Sequence, residues 1–83
     1  MMWTVKINIE LKKGVLDAQG KTTQQALQAL GFSKVKDVRV GKLVDLKIDL
    51  DSKEEVETQV ISMCQKLLAN PVIEDYTYEI EAI

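Results

Sequence analysis

Trp3, Val5, Ile7, Ile9 and Leu11 alternate with Thr4, Lys6, Asn8, Glu10 and Lys12. Period-two alternation rich in β-branched residues predicts a half-buried strand, which Lys13-Gly14 ends. A helix is predicted from about Ala18 to Leu30. Asp17 is placed to accept from the free amides of its first turn, and Gly31 stands where a left-handed C′ residue is wanted. Gln19, Thr23, Ala26, Leu27 and Leu30 share one face of this helix. Gly20 weakens its first turn but permits close approach of another backbone. A second helix begins at a Ser52…Glu55 capping box. Its predicted apolar face is Val56, Val60, Met63, Cys64 and Leu67, and Asn70-Pro71 stops it. In the last predicted strand Val72, Tyr76, Tyr78 and Ile80 lie on one side, interrupted by Glu74, with Thr77, Glu79 and Glu81 on the other.

Residues 35–50 carry the most information. Val38, Val40, Lys42, Val44, Leu46, Ile48 and Leu50 hold one parity throughout, and Asp37, Arg39, Gly41, Leu43, Asp45, Lys47 and Asp49 hold the other. A two-residue hairpin at Gly41-Lys42 would split the apolar set across both faces, because register and face are locked together in a strand. One long strand, bent at Gly41, keeps the set whole. Sixteen residues at roughly 3.3 Å each span about 50 Å. A compact domain of this length has a radius of gyration of about 12 Å, so part of the strand overhangs. An overhanging apolar edge invites a second chain.

The expected fold is therefore α+β, a single domain over residues 1–83 in the order β-α-β-α-β. It has one long bent central strand over 35–50, two helices packed on an antiparallel sheet, and a sheet shared across a dimer. The alternative is a ferredoxin-like βαββαβ fold with a hairpin at Gly41-Lys42.

Charge modifies this picture. The net charge is −2, which argues against nucleic acid as a partner. Residues 1–42 nevertheless carry eight Lys/Arg against three Asp/Glu, and residues 43–83 carry three against ten. Such asymmetry can steer self-association or a partner. The single cysteine precludes an intrachain disulfide, and with no histidine no ordinary zinc site is expected. No signal peptide or membrane span is recognisable, and one free thiol suits a reducing compartment, so the expected location is cytoplasmic.

Candidate chemistry is sparse. Cys64 has no histidine to activate it and reads as a buried structural residue. The four glycines form neither a Walker loop nor a dinucleotide fingerprint. Three segments lack a core explanation and read as interfaces: Val15-Leu16, Arg39-Val40-Gly41-Lys42-Leu43, and Asn70-Pro71-Val72-Ile73-Glu74-Asp75-Tyr76.

Leu11-Lys12-Lys13-Gly14-Val15-Leu16-Asp17-Ala18-Gln19-Gly20-Lys21 resembles the first signature of the PurS family, the small subunits of phosphoribosylformylglycinamidine (FGAM) synthase. Asp37-Val38-Arg39-Val40-Gly41-Lys42 resembles the middle motif, and Cys64 through Tyr76 the C-terminal signature. Ala18 departs from the family's usual proline, at a first helical position that accepts either. The resemblance implies a non-catalytic subunit of a ligase complex in purine biosynthesis. It would bridge the glutaminase PurQ and the ATP-dependent synthetase PurL and assist ammonia transfer between them. It implies a homodimer or dimer of dimers, with no cofactor on this subunit; ATP and magnesium would be used by the synthetase. The residues it nominates for partner contacts are Lys12, Lys13, Gly14, Asp17, Gln19, Gly20, Arg39, Gly41, Lys42, Asn70, Pro71, Glu74 and Asp75. None is expected to be catalytic or to bind a metal. The alternative reading is a small-molecule-binding regulatory module with a ferredoxin-like fold.

Overall fold

The structure, a computed structural model, describes residues 1–83. Strands β1 (Met2–Leu11), β2 (Lys42–Asp49) and β3 (Glu74–Ala82) form one antiparallel sheet in the order β2-β1-β3. Helix α1 (Ala18–Ala29) lies between β1 and β2, and α2 (Lys53–Met63) between β2 and β3. The alternation in β1 sets the register: Ile7 stands opposite Val44 on one side and Tyr78 on the other. Val5, Ile7 and Ile9 point to a single face and meet Val56, Val60 and Cys64 of the second helix, with Ala69 closing the cluster. All seven are buried. Burial also pushes the Cys64 thiol above its ordinary pKa, as expected of a structural cysteine.

The second helix starts where its capping box places it, with Ser52 Oγ accepting from the Glu55 amide at 3.2 Å. Its end differs from the expected pattern. Residues Cys64–Leu68 wind as a π-turn, with the Ala69 amide donating to the Cys64 carbonyl at 3.0 Å. The wider turn delays the return to the core face by one residue. Leu68, not Leu67, therefore packs on the core, and Leu67 is exposed. Val72 is likewise exposed in the 70–73 turn, one side of which was expected to begin the last strand.

The order β-α-β-α-β, the antiparallel sheet and the packing of the second helix are as expected; the paired extent of the long strand and the packing of the first helix are corrected. The hydrogen-bonded strand begins at Lys42, and residues 36–41 join no ladder. Yet Val38, Val40, Val44, Leu46, Ile48 and Leu50 are all half-buried, while Asp37, Arg39, Gly41, Leu43, Asp45, Lys47 and Asp49 are all exposed. Lys42 is the exception, exposed on the half-buried parity beside Gly41, and the two-face alternation resumes in the same phase at Val44. Only the pairing stops, because a ladder needs a neighbour and this protomer has none to offer there. The sheet has three strands, and the chain does not double back on itself as a hairpin at Gly41-Lys42.

Helix α1 does not pack on the sheet. No residue between 12 and 41 belongs to the core cluster or packs against it. The helix instead forms a separate lobe with residues 35–40, tied by Gln24 Nε2 to the Lys36 carbonyl (2.9 Å) and Gln28 Nε2 to the Val35 carbonyl (3.0 Å). It ends in a Schellman motif: Gly31 takes φ +103°, and the Phe32 amide donates to the Leu27 carbonyl at 3.0 Å. Its only buried residue is Gly20, whereas Leu30 and Phe32 are exposed. The consequence is an elongated body of 51 × 27 × 14 Å with a radius of gyration of 16.4 Å. A compact chain of this length would have about 12 Å.

Candidate functional site

The three segments that lacked a core explanation converge at one end of the sheet, where the lobe (residues 12–41) joins the body. Leu11 at the end of β1 faces Glu74 at the start of β3, and Ile9 faces Lys42 at the start of β2. All thirteen nominated residues lie on or beside this junction, but most are engaged inside the protomer.

Asp17 is the hub. Its Oδ1 accepts from the Gly20 amide at 2.7 Å, capping α1, and its Oδ2 accepts from the Val40 amide at 2.8 Å. The Arg39 guanidinium lies 3.8 Å from Oδ2 and also donates to the Leu11 carbonyl at 2.8 Å. One carboxylate thus fastens the start of α1 to the returning segment, and Arg39 fastens that segment to β1. Two glycines let the backbones come this close. A Cβ on Gly20 would overlap the Val38 carbonyl, and one on Gly41 would stand 2.7 Å from the Ile9 carbonyl.

The C-terminal signature forms the other wall. Asn70 Oδ1 accepts from the Val72 amide at 3.1 Å, and Pro71 stiffens the turn between them. Glu74 Oε1 accepts from the Asn70 amide at 2.8 Å, and its Oε2 is 3.8 Å from Lys42 Nζ, which also reaches the Leu68 carbonyl. Lys12 pairs with Asp75 at 2.9 Å, and its amide donates to the Ile73 carbonyl. Lys13, Gly14 and Gln19 remain exposed around this frame. Between the walls lies an open cleft of about 310 Å³ lined by Ile9, Leu11, Asp17, Gln19, Val40 and Glu74 among others.

The arrangement holds surfaces in place; it brings no nucleophile to a base. Gln24 and Gln28 belong to the lobe's architecture and were not nominated from sequence. Their i, i+4 spacing, with both side chains on one flank of α1, is the signal that could have identified them.

Asp17 titrates accordingly. The Val40 and Gly20 amides, aided by the Arg39 charge, hold its carboxyl below the ordinary value of 3.8, against the opposing effect of partial burial. A depressed folded pKa stabilises the junction above the unfolded value and is lost as pH falls through the folded one. Acidification below about pH 4 is therefore expected to loosen α1 and residues 35–40 before the body, seen as selective broadening of their amide NMR signals. Asp17→Asn, which cannot offer two charged acceptor oxygens, should show the same selective loosening at neutral pH. Uniform broadening of lobe and body together would contradict this role.

Residues 4–82 match the PurS family model, described as phosphoribosylformylglycinamidine (FGAM) synthase. The PurS subunit of this synthase from Methanocaldococcus jannaschii is 46% identical over 82 residues, covering 99% of each chain. The crystal structure of M. jannaschii PurS, a subunit of formylglycinamide ribonucleotide amidotransferase in the purine biosynthetic pathway, superposes with a TM-score of 0.87 at 47% identity and 98% coverage of both chains. A chain in the structure of PurLQS from Thermotoga maritima superposes with a TM-score of 0.89 at 28% identity, covering 98% of this chain and 99% of that one.

Proposed function

The chain belongs to the PurS family, and from that premise we propose that it is the small, non-catalytic subunit of FGAM synthase in purine biosynthesis. It joins the PurQ glutaminase to the PurL synthetase and assists transfer of ammonia in the conversion of formylglycinamide ribonucleotide and glutamine to formylglycinamidine ribonucleotide. The observation that carries this reading is the unfinished lobe. Thirty residues, 12–41, stand outside the core, with Leu16, Leu30 and Phe32 exposed on them. A small domain that leaves so much apolar surface uncovered is built to be covered by other chains.

A second copy of the chain is one of those partners. Residues 37–41 have strand-like alternation with no ladder, and β2 is a free sheet edge. Pairing the segment of one copy with the β2 edge of another satisfies both sets of backbone groups. The rigid junction residues then act mainly as a frame. Lys13, Gln19 and the 70–73 turn, with Leu67 beside it, offer the exposed mixture of charged and apolar groups that suits contact with the larger subunits. ATP and magnesium belong to the synthetase in this reading. The location in this reading is the cytoplasm; no helix of the chain is long and apolar enough to cross a membrane.

The physical task is to keep ammonia from water between two active sites, which favours sealed subunit contacts. The test is reconstitution. The subunit should co-purify with the glutaminase and the synthetase when glutamine and ATP are present. Omitting it should depress glutamine-driven synthesis more than ammonia-driven synthesis. Equal loss of both activities would mean that the subunit serves only the fold of the synthetase.

A further inference from the structure

Strand β3 leaves one edge of the sheet open. The β2 edge is the one assigned above to a second copy, and β3 is the other outer strand in the order β2-β1-β3. Two bonds at the ends of its ladder fix which backbone groups are free. The Lys12 amide donates to the Ile73 carbonyl at 2.8 Å, and the Ile83 amide to the Met2 carbonyl at 3.0 Å. Between them the register advances residue for residue, from Leu11 opposite Glu74 to Trp3 opposite Ala82, without a bulge. Antiparallel partners alternate between bonded and non-bonded pairs. The odd-numbered residues of β3 therefore bond β1, and the even-numbered ones turn their N–H and C=O groups outward. The Glu74 amide is satisfied by the Asn70 carbonyl at 2.7 Å. Tyr76, Tyr78, Ile80 and Ala82 have no strand beside them to bond.

Proteins guard such an edge with Lys, Pro, a bulge or an inward-pointing charge, or keep it short. β3 has nine residues and contains no Lys, Pro or Gly. Beyond Glu74 its core-side parity is Tyr76, Tyr78, Ile80 and Ala82, the first three half-buried. Its one defence is on the outer face, where Asp75, Glu79 and Glu81 are exposed. Lys12 pairs with Asp75, and Lys6 stands opposite Glu79 in the ladder, but Glu79 and Glu81 have no cation within 4.0 Å. This charge turns away a second β3. Antiparallel registers centred on Tyr78 or Ile80 would set Glu81 opposite Asp75 or Glu79, and like charges directly opposite destabilise a sheet. The same charge favours a strand of the opposite sign. On the other face an open groove of about 300 Å³ lies beside the edge, lined by Tyr78 and Ile80 with Lys53 and Glu57 of α2.

We propose that the free edge of β3 is a docking site for an extended, basic segment of a different protein, which joins the sheet as an added antiparallel strand. Its Lys or Arg residues lie over Asp75, Glu79 and Glu81. Its intervening apolar residues lie over Tyr76, Tyr78 and Ile80 and reach the groove beside α2. Backbone bonds supply the affinity of such a contact, and the alternating side chains its specificity. The inference deepens the bridging role proposed above and rests on it for the partner, a larger subunit of the complex.

The probe is a blocked octapeptide of alternating Lys and Val, added to the full-length subunit. In the free subunit the Tyr76, Tyr78 and Ile80 amides should exchange hydrogen fast, and the probe should slow them about tenfold. The corresponding Glu and Val peptide should not bind. Antiparallel docking sets the probe's valines opposite the even-numbered residues, so their amides point at β3. N-methylating the valines should therefore weaken binding about tenfold, and N-methylating the lysines should leave it within about twofold. Glu79→Lys with Glu81→Lys should weaken it about tenfold, with circular dichroism showing that the fold is retained. A probe that does not bind overturns the proposal. So does one that protects other amides, or that ignores either the charge reversal or the methylated valines. In the assembled complex with the glutaminase and the synthetase, residues 74–82 should exchange more slowly than in the subunit alone. A complex that forms with their exchange unchanged overturns the proposal and leaves the proposed function standing. Absence of any complex overturns that function instead, while the probe still decides whether the edge accepts a basic strand.

Discussion

Ile7→Ala should remove about 3–4 kcal/mol of folding stability, within the range for deleting a large buried side chain. Ile7 is at the centre of the central strand, fully buried, with Val44 and Tyr78 across the ladders and the second helix above it. The sheet has only three strands, and the core holds seven buried side chains. So few residues cannot collapse far into the space that a missing sec-butyl group leaves. An 83-residue domain is expected to have about 4–12 kcal/mol of stability in all, so the variant should approach the threshold of unfolding at ambient temperature. Urea titration at fixed protein concentration measures it, since dimer formation also adds to apparent stability. A loss under 1 kcal/mol would mean that the body's core does not hold the protomer together.

Gly20→Ala should have a smaller effect on the body and a larger one on assembly. The new methyl group would overlap the Val38 carbonyl and stand 2.8 Å from an Asp17 carboxylate oxygen. Backbone on one side and a doubly bonded cap on the other leave nothing that can move cheaply. Overpacking of this kind costs about 1–3 kcal/mol. Here the cost falls on the junction, so the lobe is displaced while Val5, Ile7, Ile9, Val56 and Val60 keep their contacts. The expected result is a near-parental melting curve for the body, with self-association weakened by one to two orders of magnitude, roughly the equivalent of that cost. Gly31→Ala is the contrasting control. It strains a left-handed residue but meets nothing within 4 Å, so it should cost about 1 kcal/mol, confined to the end of α1. Equal effects of the two substitutions on association would show that the lobe's seating does not govern it.

Several features were legible from single residues and their spacing. The alternation of β1, the Ser52 cap, the stop at Asn70-Pro71 and the Asp17 cap are local, and local sterics and hydrogen bonding decide them. The parity of residues 38–50 was also legible, because side-chain alternation is a property of the chain itself. Where that stretch ceases to be a ladder was not, since pairing depends on a neighbour that sequence does not position. The π-turn escaped for a related reason: Leu67 and Leu68 are both apolar, and only the packing of the body on Cys64 and Ala69 chooses between them.

Among the nominated residues, the family motif marks Asp17, Arg39, Lys42 and Glu74 as partner contacts. The structure shows a role inside the protomer, where the four fasten the junction while Arg39 and Lys42 stay exposed. By itself, then, the sequence determined which residues form elements, which face of each is apolar, and that the chain carries a charge imbalance between its halves. Tertiary structure alone decided that α1 stands away from the core, that the three motif segments meet at one end, and that the basic lobe and the acidic end of β2 lie at opposite ends of the sheet. Those outcomes depend on contacts between residues far apart in the chain, and the periodicity of each segment contains no information about which other segment it will meet.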